Sequence, residues 1–201
     1  LFWIRFFPAL FGALTIVVTW KAIEALKGNL FALVTGATCV LFSALLRLNI
    51  VYQPNSLDVL CWAGFGFILI KYFTSENYIW FYIGMAVLAL GFLNKYNIVF
   101  LVAGLFPALL LTRPSFFRNK HFWFSTLLFL LLILPNLIWQ YNNHFPVYHH
   151  MRVLADTQLV NVNRWDFLKE QLLFFTGSLV VLLAGLYALL FYRPFKKFRF
   201  F

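Results

Sequence analysis

Acidic side chains are scarce. The 201 residues hold six Asp and Glu against 16 Lys and Arg, and all charged types together make up 11%. A soluble domain carries about 25% charged residues, so this chain lacks the polar surface needed to coat a water-facing globule. Cysteine is limited to Cys39 and Cys61, both within apolar runs, which argues against a disulfide framework and a Cys-based metal site. Soluble-enzyme signatures are missing too: no Walker sequence, no GxGxxG, no His-Glu-x-x-His and no nucleophile elbow occurs. There is no initiating Met and no signal-peptide pattern. The chain opens on Leu1-Phe2-Trp3-Ile4-Arg5 and ends in a basic cluster, and is expected to be a piece of a longer protein.

What is present is apolar. Hydrophobic residues make up 63% and aromatics 21%, with 27 Phe, and the mean hydropathy is +0.85. That excludes a disordered tail. An isoelectric point near 9.9 would usually suggest nucleic acid, but the bases sit in small clusters between long apolar runs, so no nucleic-acid partner is expected. The pattern is that of a polytopic all-α membrane bundle whose immediate partners are membrane lipids.

A membrane helix needs about 20 mostly apolar residues. Seven candidates emerge, at roughly 6–26, 30–49, 58–73, 78–93, 97–112, 122–141 and 171–192, forming one transmembrane domain over 1–201. The segment 142–170 is the longest connection and holds three of the four His. Orientation follows the basic residues in alternating loops. With the first helix running inward, Lys21, Lys27, Lys71, Arg113, Arg118, Lys120, Arg193, Lys196, Lys197 and Arg199 lie inside. Arg5, Arg47, Lys95, Arg152, Arg164 and Lys169 lie outside, a balance of 10 to 6. Residues 50–57, 94–96 and 142–170 are therefore expected on the outer face, and 113–121 and 193–201 in the cytoplasm. Asn55 or Ser56 is expected to cap the third helix, Pro135-Asn136 to kink the sixth, and Asn163 to start a short helix over 164–170.

Ionisable and polar groups at the outer helix ends are the functional candidates. Asp58 either serves a hydroxyl as base or orienting group, or complements the dipole of its own helix. Lys95, at the tip of a tight hairpin with Tyr96, either holds a phosphate as a point charge or snorkels to the headgroups. Arg5 stands in the same position between phosphate and headgroup. The segment from Leu134 to Pro146 combines Asn136, a Trp/Tyr belt and His144, and His149 and His150 follow. No acidic or Cys partner has metal-site spacing to these His. They are read as a binding rim or as solvated loop residues, with no metal expected.

Four strings occur in order: Arg5-Phe6-Phe7-Pro8-Ala9, Pro54-Asn55-Ser56-Leu57-Asp58, Gly91-Phe92-Leu93-Asn94-Lys95-Tyr96, and Leu134-Pro135-Asn136-Leu137-Ile138-Trp139 followed by Phe-Pro. Together they resemble the family-39 glycosyltransferases, GT-C-type membrane enzymes related to protein O-mannosyltransferases and to the aminoarabinose transferase acting on lipid A. Gly177 stands where relatives often have Pro. The resemblance implies a polyprenyl-phosphate-linked sugar donor, inverting transfer on the outer face of a bacterial inner membrane, and no nucleotide sugar, cofactor or obligatory metal. The acceptor is a lipid, glycan or protein. It maps a catalytic acidic position onto Asp58 and the hairpin lysine onto Lys95, with Tyr96, Arg5, Asn136, His144 and His149 as substrate-binding candidates. It also places the family's general base upstream of this chain. A transporter or flippase, or a non-catalytic membrane subunit, are the alternatives. A transporter predicts repeats and charges at the bilayer centre, whereas these charges sit at helix ends.

Overall fold

In a computed structural model, residues 2–174 and 178–198 are described; among them there is helix and no strand. The first helix, α1 (Phe2–Ala25), ends where Lys27 takes a left-handed conformation (φ 63°). The Lys27 N–H donates to Glu24 O and the Gly28 N–H to Ile23 O, both at 2.9 Å. This paired ending satisfies the last carbonyls and reverses the chain. Asn29 then caps α2 (Leu30–Leu41), its Oδ1 accepting from the Ala32 N–H at 3.0 Å.

The apolar run 30–49 does not form one helix. Ser43 Oγ donates to Val40 O at 2.8 Å and accepts from the Leu45 N–H at 3.2 Å. A serine hydroxyl that serves the local backbone in this way competes with the helical ladder. Helix α2 therefore stops at Leu41, and a one-turn α3 (Leu45–Leu48) follows.

The next elements are α4 (Asn55–Ser75), α5 (Ile79–Asn94), α6 (Ile98–Thr112), α7 (Ser115–Arg118), α8 (Lys120–Asn142), α9 (Pro146–Thr157), α10 (Arg164–Phe174) and α11 (Leu179–Phe191). Helix α8 continues through Pro135. Asn163 Oδ1 accepts from the Trp165 N–H at 2.9 Å and starts α10. The run expected at 171–192 falls on α10 and α11, whose axes bend by 95°; Gly177 and Arg199 lie outside the described residues.

Segments Ile4–Ala25, Asn55–Ser75 and Lys120–Asn142 are long and apolar enough to cross a bilayer, and α10 with α11 makes a fourth if taken as one span. Helices α2, α5 and α6 are apolar but shorter, at 12, 16 and 15 residues. Many large apolar side chains face outward, among them Phe31, Phe100 and Leu111, as they do where lipid is the solvent.

Helix α1 packs on α2 and α4, α4 on α5, and α5 on α8. The core joins Cys61 and Phe65 of α4, Leu88 of α5 and Ile98 of α6. Gly91 is a point of close approach in this core: a Cβ there would collide with Ile98 Cδ1 and lie 3.3 Å from Cys61 Cβ. Helices α5 and α8 run parallel. Tyr82 Oη and His121 Nδ1 share a hydrogen bond of 3.0 Å at their starts, and Tyr96 bonds to Asn136 near their ends. Short reversals thus gather the start of α4, the α5–α6 turn and the end of α8 at one end of the bundle.

Candidate functional site

At that end an apolar sequence collects polar side chains. Asp58, in the first turn of α4, is 7% exposed. Its Oδ2 accepts from Asn97 Nδ2 at 2.7 Å. Asn97 belongs to the three-residue turn between α5 and α6, and its neighbour Tyr96 extends the network to α8. The Tyr96 hydroxyl donates to Asn136 Oδ1 at 2.9 Å and accepts from Gln140 Nε2 at 2.8 Å. Asn136 and Gln140 are four residues apart, so both lie on the same face of α8. One hydroxyl, using donor and acceptor capacity together, ties that face to the hairpin.

Lys95 lies at the rim. Its Nζ donates to Asn55 Oδ1 at 2.8 Å, and Asn94 Nδ2 donates to Pro54 O at 2.9 Å. Asn55 precedes Asp58 by three residues on the same helix face. The ammonium is thus anchored one turn above the carboxylate without touching it, and its side chain stays exposed. Neither residue expected to cap α4 does so. Asn55 is taken by Lys95, and Ser56 Oγ donates to Leu48 O at 3.1 Å. Asp58 remains to complement the helix N-terminus while also accepting from Asn97.

Among the described residues, three buried acceptor oxygens of this network have no partner: Asp58 Oδ1, Asn97 Oδ1 and Gln140 Oε1. Leaving such an atom unpaired costs about 1–3 kcal/mol. A set of unsatisfied acceptors beneath a cation favours a ligand rich in hydroxyl donors that also carries an anion.

Other candidates stand apart. Arg5 is exposed in the second turn of α1, and His144 and His149 are exposed at the end of α8 and on α9. Among the described residues, none of these three side chains hydrogen-bonds to the network. His144 has a backbone role: at φ 58° it closes α8, its N–H donating to Tyr141 O (3.2 Å) while the Phe145 N–H donates to Gln140 O (2.7 Å). No grouping of three or more His, Cys, Asp or Glu that could hold a metal occurs among the described residues. Sequence reasoning passed over Asn55, Asn94, Asn97 and Gln140 as site members. The available signal was a set of side-chain amides at helix ends that are otherwise apolar.

A family model described as dolichyl-phosphate-mannose-protein mannosyltransferase matches residues 1–139, a stretch that contains every member of the network up to Asn136. No curated protein and no solved structure matches the chain.

Proposed function

This chain belongs to the dolichyl-phosphate-mannose-protein mannosyltransferase family of GT-C-type membrane glycosyltransferases, and from that premise we propose that the Asp58–Lys95–Tyr96 cluster is where a polyprenyl-phosphate-linked sugar meets its acceptor. The observation that carries this reading is an exposed ammonium, held by Asn55 one turn from Asp58, at the same end of the bundle as three buried acceptor oxygens that have no partner among the described residues.

In this mechanism Lys95 takes the donor phosphate as a compact charge. The unpartnered oxygens of Asn97 and Gln140 accept from sugar hydroxyls. Although the resemblance places the family's general base upstream, we assign the proton transfer to Asp58: with Oδ2 held by Asn97, its Oδ1 is free to accept from the acceptor hydroxyl and draw off its proton. The acceptor oxygen bonds to the anomeric carbon while the carbon–oxygen bond to phosphate breaks, and the electron pair leaves with the polyprenyl phosphate. Its growing charge is stabilised by Lys95, a fixed group aimed where charge develops. The positive-inside balance supports an outward-facing position for this end of the bundle, as expected of a bacterial inner-membrane enzyme working outward.

The test is Asp58→Asn in the full-length protein. The amide keeps the shape and the contact to α5–α6 but is no base. Transfer should fall by about a hundredfold, within the usual range for an acid–base group, with donor binding close to wild type. Wild-type turnover by Asp58→Asn would remove Asp58 from the chemistry.

A further inference from the structure

A pocket of about 230 Å³ opens at the end of the bundle opposite the Asp58 network, ringed by Tyr72, Glu76, Tyr78, Arg113, Ser115 and Asn119. Its two charges are not spent on each other: the ion pairs among the described residues are Lys21–Glu24 and Lys169–Asp166. Glu76 closes α4 in a left-handed conformation (φ 52°). The Arg113 guanidinium is 5.8 Å from the centre of the Phe73 ring, a contact that steadies the cation and leaves its in-plane N–H groups for an anion. A carboxylate and a guanidinium that share a pocket without pairing are complementary to a ligand with both a cation and an anion.

Two apolar cavities border this pocket, each sharing a lining residue with it. One, of about 510 Å³, shares Phe116 with it and continues past Leu109, Phe106 and Val102 towards Phe129. The other, of about 610 Å³, shares Phe73 and is bordered by Gly66, Gly104 and Gly185 of α4, α6 and α11. A Cβ on any of these three glycines would meet nothing within 4 Å. They therefore line open space and do not serve a helix–helix contact. Leu105 of α6, like Phe65 and Leu69 of α4, borders both cavities, but Leu101 and Gly104 line one and Val102 and Phe106 the other, so α6 stands between them. One polar pocket with two apolar cavities parted by a helix has the shape of one headgroup with two chains.

We propose that this assembly binds a zwitterionic diacyl phospholipid, with its phosphate at Arg113, its ammonium at Glu76 and one acyl chain on each side of α6. A soluble phosphoethanolamine has the same head chemistry without the chains. The test uses the full-length protein equilibrated with equal phosphatidylethanolamine and phosphatidylglycerol, with retained lipid counted by native mass spectrometry. Wild type should retain the zwitterionic lipid in about fivefold excess, the upper end of what an exposed charge pair supplies. Glu76→Gln should abolish the preference, and Arg113→Gln should lower retention of both lipids. Gly104→Leu, on an exposed helix face, should fill the cavity beside α6 and reduce lipid retention without affecting binding of soluble phosphoethanolamine. An equal lipid ratio in wild type and Glu76→Gln overturns the headgroup assignment. Unchanged lipid retention in Gly104→Leu, with phosphoethanolamine competing fully, overturns the chain assignment in favour of a free zwitterion.

Discussion

Tyr96 is the residue on which the site's geometry turns, because a single hydroxyl bonds both Asn136 and Gln140 across helices. Tyr96→Phe keeps the ring contact with Phe92 and removes both bonds. Gln140, 7% exposed, is then left with an unpaired amide. Stability should fall by about 1–3 kcal/mol, visible as a lower unfolding midpoint in detergent; an unchanged midpoint would mean that water replaces the hydroxyl at no cost. Asp58, Lys95, Tyr96 and Asn136 stand out in the sequence because polar groups at apolar helix ends are costly and therefore conspicuous, and the structure brings them to one end of the bundle. Asn97 and Gln140 do not stand out. Asparagine in a turn is ordinary turn chemistry, and its partner Asp58 lies 39 positions away, a separation that no local pattern encodes. His144 is a candidate through its imidazole, and the structure adds a role for its backbone in closing α8.

At the scale of elements, the α4–α5–α6 hairpins depend on close approach at Gly91. Gly91→Ala would press into Ile98, which is 2% exposed and has little room to move. Overpacking of this kind costs about 1–3 kcal/mol, and here it would also shift Lys95, four residues on. Thermal unfolding and transfer should therefore both suffer, and a variant as stable as wild type would show that the hairpin can relax. His144→Gly should do the reverse, raising stability by up to about 1 kcal/mol because glycine adopts the left-handed conformation without strain. If His144→Gly also loses transfer, the imidazole takes part in binding after all. Helices α4, α5, α6 and α8 were readable to within a few residues because apolar length and the Pro and Asn breaks agree. The 30–49 run was misread because hydropathy does not register where one serine spends its hydroxyl.

For the whole molecule, the order of helices places 54–58, 94–97 and 136–145 at one end and 72–78 with 113–121 at the other. The 10-to-6 distribution of basic residues is the basis on which we propose which end faces outward. In a Cys39→Ala background, with Cys61 buried, an impermeant thiol reagent applied from outside should label Val160→Cys and spare Arg118→Cys; the inverse pattern would turn the whole orientation over. Handling of a lipid-linked sugar phosphate is the role we propose for the end bearing Lys95. It is tested most directly by steady-state transfer from a polyprenyl-phosphate sugar by the full-length protein, comparing wild type with Lys95→Met and Lys95→Arg. Loss of a charge aimed at a leaving phosphate should lower transfer by at least about a hundredfold in Lys95→Met. Lys95→Arg keeps the charge in a different geometry and should retain part of the rate, with both variants folded. Transfer by Lys95→Met at the wild-type rate, with unchanged dependence on donor, would remove Lys95 from the chemistry and leave it as an anchor of its hairpin.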